Sequence, residues 1–253
     1  MAFGQIESFA HGGARLAFER QTGAAPTFVW LGGFKSDMAG TKAQALAEWA
    51  RDEGQAFVRF DYSGHGQSGG RFEDGTISSW LSDAVAVIDA QTEGPLVLVG
   101  SSMGGWISLL AARQRPQRVR ALLLIAPAAD FTERLMWASF DAGVRRQIEE
   151  TGRWERPSAH DPDPYFITRA LIEDGRARLI MHGPIAFDGP VRILQGGADP
   201  DVPADHVRAL AALMQSPDLT FELIPDGDHR LSRPQDLARL LATANELRGR
   251  FAR

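Results

Sequence analysis

The amino-acid sequence predicts an α/β protein: a mostly parallel central sheet with helices on both faces and a helical cap inserted at about residues 130–190, all within one domain spanning 1–253. Two patterns carry this. Short apolar runs recur along the chain, several of them apolar at successive positions, as strands buried on both faces are. Amphipathic stretches with a period near 3.6 residues lie between them, and such alternation folds as a parallel sheet covered on both sides. The length of 253 residues, with 44% hydrophobic and 23% charged, suits one large domain with a packed core.

In chain order, residues 15–20 alternate in polarity and read as a weak strand at a sheet edge. Residues 27–31, 56–61, 96–100, 121–126, 191–196 and 220–224 read as strands, several of them buried on both faces. Thr41-Lys42-Ala43-Gln44 has the form of a capping box, followed by Ala43, Leu46, Ala47 and Ala50 on one helical face. Leu81, Ala84, Val85 and Ile88 repeat that spacing, as do Leu237, Leu240, Leu241 and Ala244, where Pro234 suits an opening turn. Between about 130 and 190 no strand pattern stands out. Phe131, Leu135, Phe140, Val144 and Ile148 follow at roughly four-residue steps, then His160-Asp161-Pro162-Asp163-Pro164, then a second short helical pattern. This stretch reads as a cap over a site or, alternatively, as part of the packed core.

Composition excludes several function classes. The chain has no cysteine, so disulfides, iron–sulfur clusters, Cys-ligated zinc and a thiol nucleophile are all ruled out. Lys and Arg number 27 against 32 Asp and Glu, a net charge of −5 with no basic run, which argues against nucleic acid or an anionic membrane surface as partner. The longest apolar stretch, 121–129, contains Pro127 and falls short of the ~18 residues that a membrane helix needs. The first thirteen residues hold no Lys or Arg, unlike a secretory signal or transit peptide, so a cytoplasmic protein is expected.

The sharpest chemical signal is Gly100-Ser101-Ser102-Met103-Gly104. It directly follows the apolar strand 96–100 and opens a helix carrying Ile107, Leu110 and Ala111, the strand–turn–helix setting of a nucleophile elbow. The turn is so tight that the positions two before and two after the serine have no room for a side chain, hence Gly100 and Gly104. It lifts the Ser102 hydroxyl above the strand ends and leaves the Met103 N–H at a helix N-terminus, where a developing oxyanion is favoured.

A serine hydroxyl needs a base, and the elbow's chain order places an acid and then a histidine after it. Asp199 follows strand 191–196 and His229 follows strand 220–224; these are the predicted acid and base of a catalytic triad with Ser102. Asp201, two residues further on, and Asp205, suited to capping the next helix, are competing acids. The other histidines, His11, His65, His160, His182 and His206, read as surface or structural. Asp226 and Asp228 lie just before His229 but read as solvated loop acids, so no metal is expected. Gly32-Gly33-Phe34 leaves strand 27–31 where a second oxyanion donor belongs, and the Phe34 N–H is the candidate. Trp137, Phe140, Trp154 and Phe166 are candidates to line an acyl pocket, or else pack the insertion's own core. Gly64-His65-Gly66-Gln67-Ser68-Gly69 matches the G-x-G-x-x-G string of dinucleotide sites, but the glycine-rich, polar stretch that follows cannot open the helix to which a pyrophosphate docks. It is read as a turn, and no cofactor is expected.

Over essentially its whole length the chain resembles the α/β-hydrolase superfamily, and within it the family of the mitochondrial acyl-glucuronide esterase that also acts as a palmitoyl-protein thioesterase, with its bacterial relatives. The resemblance rests on Gly32-Gly33-Phe34-Lys35-Ser36-Asp37-Met38-Ala39-Gly40-Thr41-Lys42-Ala43, on Phe60-Asp61-Tyr62-Ser63-Gly64-His65-Gly66-Gln67-Ser68, on Gly100-Ser101-Ser102-Met103-Gly104-Gly105-Trp106 and on Asp228-His229-Arg230. It implies an α/β-hydrolase fold, a triad at Ser102, Asp199 and His229, and a serine hydrolase of carboxylic esters or acyl thioesters acting on a small molecule or an acylated protein. Two other readings remain. The same triad serves carbon–carbon bond hydrolysis or cofactor-free perhydrolysis in some members of such a superfold, and a non-catalytic ligand-binding protein would use the pocket as a receptor.

Overall fold

The computed structural model describes residues 5–156 and 165–251, so His160-Asp161-Pro162-Asp163-Pro164 lies outside the described residues. Strands β1 (Glu7–His11), β2 (Ala14–Gln21), β3 (Ala24–Leu31), β4 (Gln55–Phe60), β5 (Leu96–Ser101) and β6 (Val119–Ile125) belong to the main sheet. Between β6 and the next strand of that sheet come a short hairpin, β7 (Arg153–Arg156) with β8 (Tyr165–Thr168), and β9 (Ile185–Ala186). Then follow β10 (Val191–Gly196), β11 (Met214–Gln215) and β12 (Leu219–Ile224). The main sheet has eight strands in the order β1-β2-β4-β3-β5-β6-β10-β12. It is parallel from β4 through β12 and antiparallel where β1 and β2 join.

Alternation along each strand sorts the core into two layers. Phe28, Trp30, Val97, Val99, Leu123 and Leu194 face one side and pack on α1 (Thr41–Asp52) and α7 (Pro234–Gly249) through Leu46, Ala47, Leu240, Ala244 and Leu247. Val29, Leu31, Leu98, Leu122 and Leu124 face the other and pack on α2 (Ile77–Gln91) and α3 (Met103–Gln114) through Trp80, Leu81, Ile88, Trp106 and Leu110. Residues 28–31, 96–99 and 121–125 are therefore apolar at every position, which is what made them legible. The parallel register brings the C-terminal ends of β3, β5, β6, β10 and β12 to one edge, and the candidate site sits there.

Three expectations need correction. Residues 15–20 lie in β2, one strand in from the edge, because β1 pairs outside it from Glu7↔Phe18 to His11↔Ala14. Thr41 does not cap α1: Gly40 is the N-cap, with no side-chain hydrogen bond, while a true capping box forms at Thr76 and Ser79 of α2. The stretch 130–190 is not strand-free, since β7 and β8 pair antiparallel, Arg153↔Thr168 to Arg156↔Tyr165. Its helical part is also broken, into a π-helical turn at Thr132–Trp137 and α4 (Ala142–Thr151), capped by the Asp141 carboxylate on the Val144 N–H at 2.9 Å. Helix α5 (Arg169–Arg176) follows the hairpin, and α6 (Ala204–Leu213) follows β10.

Candidate active site

Ser102 sits between β5 and α3 with φ 55° and ψ −118°, a left-handed backbone rarely adopted by a residue with a side chain. Such a conformation costs ~1–3 kcal/mol and persists only where its surroundings enforce it. They do so here. The Ser102 N–H donates to the Ile125 carbonyl at 2.9 Å and the Ser102 carbonyl accepts from Ala128 at 3.0 Å. A Cβ at Gly104 would collide with the Leu31 and Gly32 carbonyls, and one at Gly100 with Gly104 and the Ser108 hydroxyl, so both glycines are required by close approach.

The structure brings the three predicted residues together from three strand ends. His229 Nε2 lies 3.2 Å from Ser102 Oγ, and His229 Nδ1 lies 2.8 Å from Asp199 Oδ2. The Asp199 side chain is fully buried and that of His229 is 23% exposed. Asp199 Oδ1 accepts the N–H groups of Asp201 (2.9 Å) and Val202 (2.8 Å), while the Gln195 amide donates to Oδ2 at 3.3 Å. Burial pushes the Asp199 carboxyl pKa up, but the His229 ring and the two backbone N–H donors outweigh it and hold the pKa below the usual carboxylate value. The group is a carboxylate at neutral pH, able to fix the imidazole tautomer with its lone pair toward the serine.

The competing residues are placed elsewhere. Asp201 contributes its backbone N–H to Asp199, and Asp205 lies in the first turn of α6 beside Arg208. Asp226 pairs with Arg233 at 2.7 Å, and Asp228 accepts the Leu231 N–H at 2.9 Å, shaping the loop that carries His229. His11 meets the Ser82 hydroxyl and His206 the Ala129 carbonyl. Asp199, Asp201 and His229 hold three potential metal donors within 4.8 Å. The donor set fits a metal poorly, because Asp199 spends both oxygens on four hydrogen-bond donors and His229 has both ring nitrogens engaged.

Met103 is the first residue of α3, whose leading N–H groups have no acceptor within the helix. Gly33 packs against the elbow, with a Cβ there standing 3.4 Å from Ser102 Cβ, so the loop carrying Phe34 crosses directly beside the serine. A cavity of about 260 Å³ opens over Ser102 and His229, lined among others by Phe34, Phe131, Leu135, Met136, Tyr165 and Val202. None of the four aromatic residues expected in it lines it. Phe140 packs edge-on between Trp137 and Trp154, at 6.3 and 5.2 Å between ring centres, Arg145 and Arg176 lie over Trp137, and Arg153 covers Phe166. Two residues of the four-residue pattern, Phe131 and Leu135, do line the cavity, joined there by Met136 from the π-helical turn. Sequence reasoning missed Tyr165 and Arg156, which reach the cavity from the β7–β8 hairpin.

Comparison with known proteins agrees with this architecture. The serine aminopeptidase, S33, family (Hydrolase_4) matches residues 27–170. Mouse (Mus musculus) palmitoyl-protein thioesterase ABHD10, mitochondrial, is 37% identical over 92% of this chain and 78% of its own. The structure of mouse ABHD10 superposes with a TM-score of 0.90 at 34% identity, covering 98% of this chain and 100% of that one. A crystal structure from Agrobacterium vitis S4 gives 0.91 at 43% identity over 96% and 97%. With the family match spanning more than half its length, the chain belongs to the serine aminopeptidase, S33, family of α/β-hydrolases.

Proposed function

We propose that this protein is a serine hydrolase that cleaves carboxylic esters or acyl thioesters through Ser102, His229 and Asp199. The observation that carries the reading is the continuous hydrogen-bonded line from Ser102 Oγ through His229 to Asp199, at 3.2 and 2.8 Å, opening onto a cavity. His229 Nε2 takes the hydroxyl proton as Ser102 Oγ attacks the acyl carbon. The N–H groups of Phe34 and Met103 hold the oxyanion, and its collapse expels an alcohol or thiol that leaves with the proton from His229. Water, deprotonated by the same imidazole, then attacks the acyl-enzyme and frees the acid and Ser102. The π-helical turn, α4, the β7–β8 hairpin and α5 act as a cap on one domain, roofing the cavity with Leu135, Met136, Arg156 and Tyr165.

The description of the ABHD10 relatives as palmitoyl-protein thioesterases supports an acyl substrate. A cavity of about 260 Å³ lies just under the ~300–1,000 Å³ of drug-sized ligand sites, so it takes a short acyl group whole and only the first part of a long one. No helix among the described residues is long and apolar enough to cross a membrane. The relatives carry the description mitochondrial, whereas the sequence expectation for this chain is cytoplasmic, and cell fractionation decides between them. The deciding assay for substrate is initial hydrolysis rates of p-nitrophenyl esters from two to sixteen carbons beside S-acyl-cysteine peptides. A long-chain optimum with strong thioester cleavage makes it a deacylase, a short-chain optimum makes it a small-ester carboxylesterase, and turnover of neither class overturns the proposal.

A further inference from the structure

The glycine-rich turn that mimics a dinucleotide motif has a different use. His65 lies in it with 4% exposure, its ring edge-on to Tyr62, Phe72 and Trp80 at 5.2–5.7 Å between centres. His65 Nδ1 is 3.1 Å from the Ser63 carbonyl oxygen, and Nε2 is 3.2 Å from the backbone nitrogen of Lys35. A carbonyl only accepts and a backbone N–H only donates, so these two contacts fix the tautomer: the proton sits on Nδ1 and the Nε2 lone pair receives the Lys35 N–H. Lys35 directly follows the candidate oxyanion donor Phe34 and has φ 57°, a strained backbone for a residue with a side chain. The same turn is tied to the same loop a second time, since the Asp61 carboxylate accepts the Met38 N–H at 2.6 Å and the Gln67 N–H at 2.7 Å.

We propose that His65 is a positioning residue for catalysis: its neutral imidazole clamps the Lys35 N–H and thereby aims the Phe34 N–H at the oxyanion that forms on the acyl carbon attacked by Ser102. The inference rests on the serine-hydrolase reading but concerns a residue outside the triad. Burial lowers the His65 pKa to about 4, more than the Ser63 carbonyl raises it, and the Lys35 charge acts in the same direction as burial, so the acceptor lone pair persists at neutral pH. Electrostatic aiming of this kind acts on the transition state and leaves ground-state binding nearly unchanged.

The test has two arms. In the first, His65→Phe keeps an aromatic ring but removes the acceptor, and His65→Gln restores one. Removing a whole oxyanion donor costs ~10²–10³ in kcat, so misaiming one is expected to cost ~10–100-fold. Expected for His65→Phe is that fall in kcat per titrated active site, a KM for a neutral ester near wild type, and a parallel loss of affinity for a boronic-acid transition-state analogue, with partial recovery in His65→Gln. A wild-type kcat per active site in His65→Phe overturns the proposal, as does a loss confined to melting temperature. The second arm needs no variant: ¹⁵N NMR of the wild-type imidazole at neutral pH is expected to show Nδ1 protonated and Nε2 bare. An Nε2-protonated or charged ring overturns the proposal even if no variant folds. Failure of the underlying reading is separate, because Ser102→Ala would then retain turnover while the NMR result stands.

Discussion

Replacing Asp199 by asparagine tests the acid assignment with almost no change of shape, and the structure sets the size of the effect. Asp199 Oδ1 accepts two backbone N–H groups and Oδ2 faces His229 Nδ1. An asparagine amide has one acceptor oxygen and one donor nitrogen, so it cannot serve both sides. If its oxygen stays with Asp201 and Val202, the NH₂ faces His229 and forces the lone pair onto Nδ1, leaving Nε2 protonated toward Ser102 and useless as a base. That wrong-tautomer outcome costs ~10⁴ in kcat in the Ser-His-Asp template. If the amide flips, the tautomer is right but the NH₂ opposes two N–H donors, and two unmet buried hydrogen bonds cost ~2–6 kcal/mol. The cheaper route governs, so kcat should fall by between about thirtyfold and 10⁴-fold. Steady-state hydrolysis of a p-nitrophenyl ester by purified Asp199→Asn, with active sites titrated, reads this directly. Asp201→Asn, which keeps its backbone N–H, is the control and should lie within a few fold of wild type. An Asp199→Asn kcat within tenfold of wild type, or a larger loss in Asp201→Asn, refutes the reasoning. The variant also reports on acid stability. A carboxyl whose folded pKa is depressed stabilises the fold above its unfolded pKa and loses that contribution as pH falls through the folded value. Denaturation of Asp199→Asn should therefore lose part of the wild-type decline below about pH 4.

Two further predictions concern stability. Ser102→Gly and Ser102→Ala both lose the hydroxyl, but only glycine relieves the φ of 55°. The strain of ~1–3 kcal/mol exceeds the ~0.5–1 kcal/mol entropy cost of glycine, so Ser102→Gly should melt a few degrees above Ser102→Ala; a lower melting point would show that the elbow is not strained. Lys42 donates to the Arg230 carbonyl beside His229, and burial lowers its pKa to about 8 against the partial support of Asp228. A lysine with a depressed folded pKa binds fewer protons folded than unfolded between pH 8 and its ordinary value, so stability gains with pH across that window. Wild-type stability measured against Lys42→Met should rise from pH 8 to 10 by up to ~1.4 kcal/mol per unit, and a flat difference would contradict the burial argument.

Much of this architecture was legible because its signals are local. Val97, Leu98 and Val99 are buried on both faces of a central strand, and a run of that kind has few other uses. The Gly-x-Ser-x-Gly turn was recognisable because strand, turn and helix are contiguous, and Asp199 and His229 each follow the strand that delivers them. Strand β1 was missed because Glu7, Ser8 and His11 surround a single large apolar residue, Phe9, in a half-exposed outer strand. The β7–β8 hairpin hid for a similar reason, its four-residue strands carrying Arg153, Glu155 and Arg156 and joining across a long connection. The cavity was misread because its lining comes from separate segments, at Phe34, Phe131, Leu135, Met136, Tyr165 and Val202, and because the insertion's large aromatic side chains pack on one another and against arginines instead. His65 looked like a turn residue since its partners, the Ser63 carbonyl and the Lys35 N–H, are backbone groups with no signature of their own.

The central claim, that Ser102 carries the acyl group, is tested most directly by measuring ester hydrolysis by Ser102→Ala beside the wild type under identical conditions. A fall of at least ~10³-fold is expected, leaving the residual rate that an oxyanion hole and binding alone sustain. Turnover of the alanine variant near the wild-type rate would contradict it.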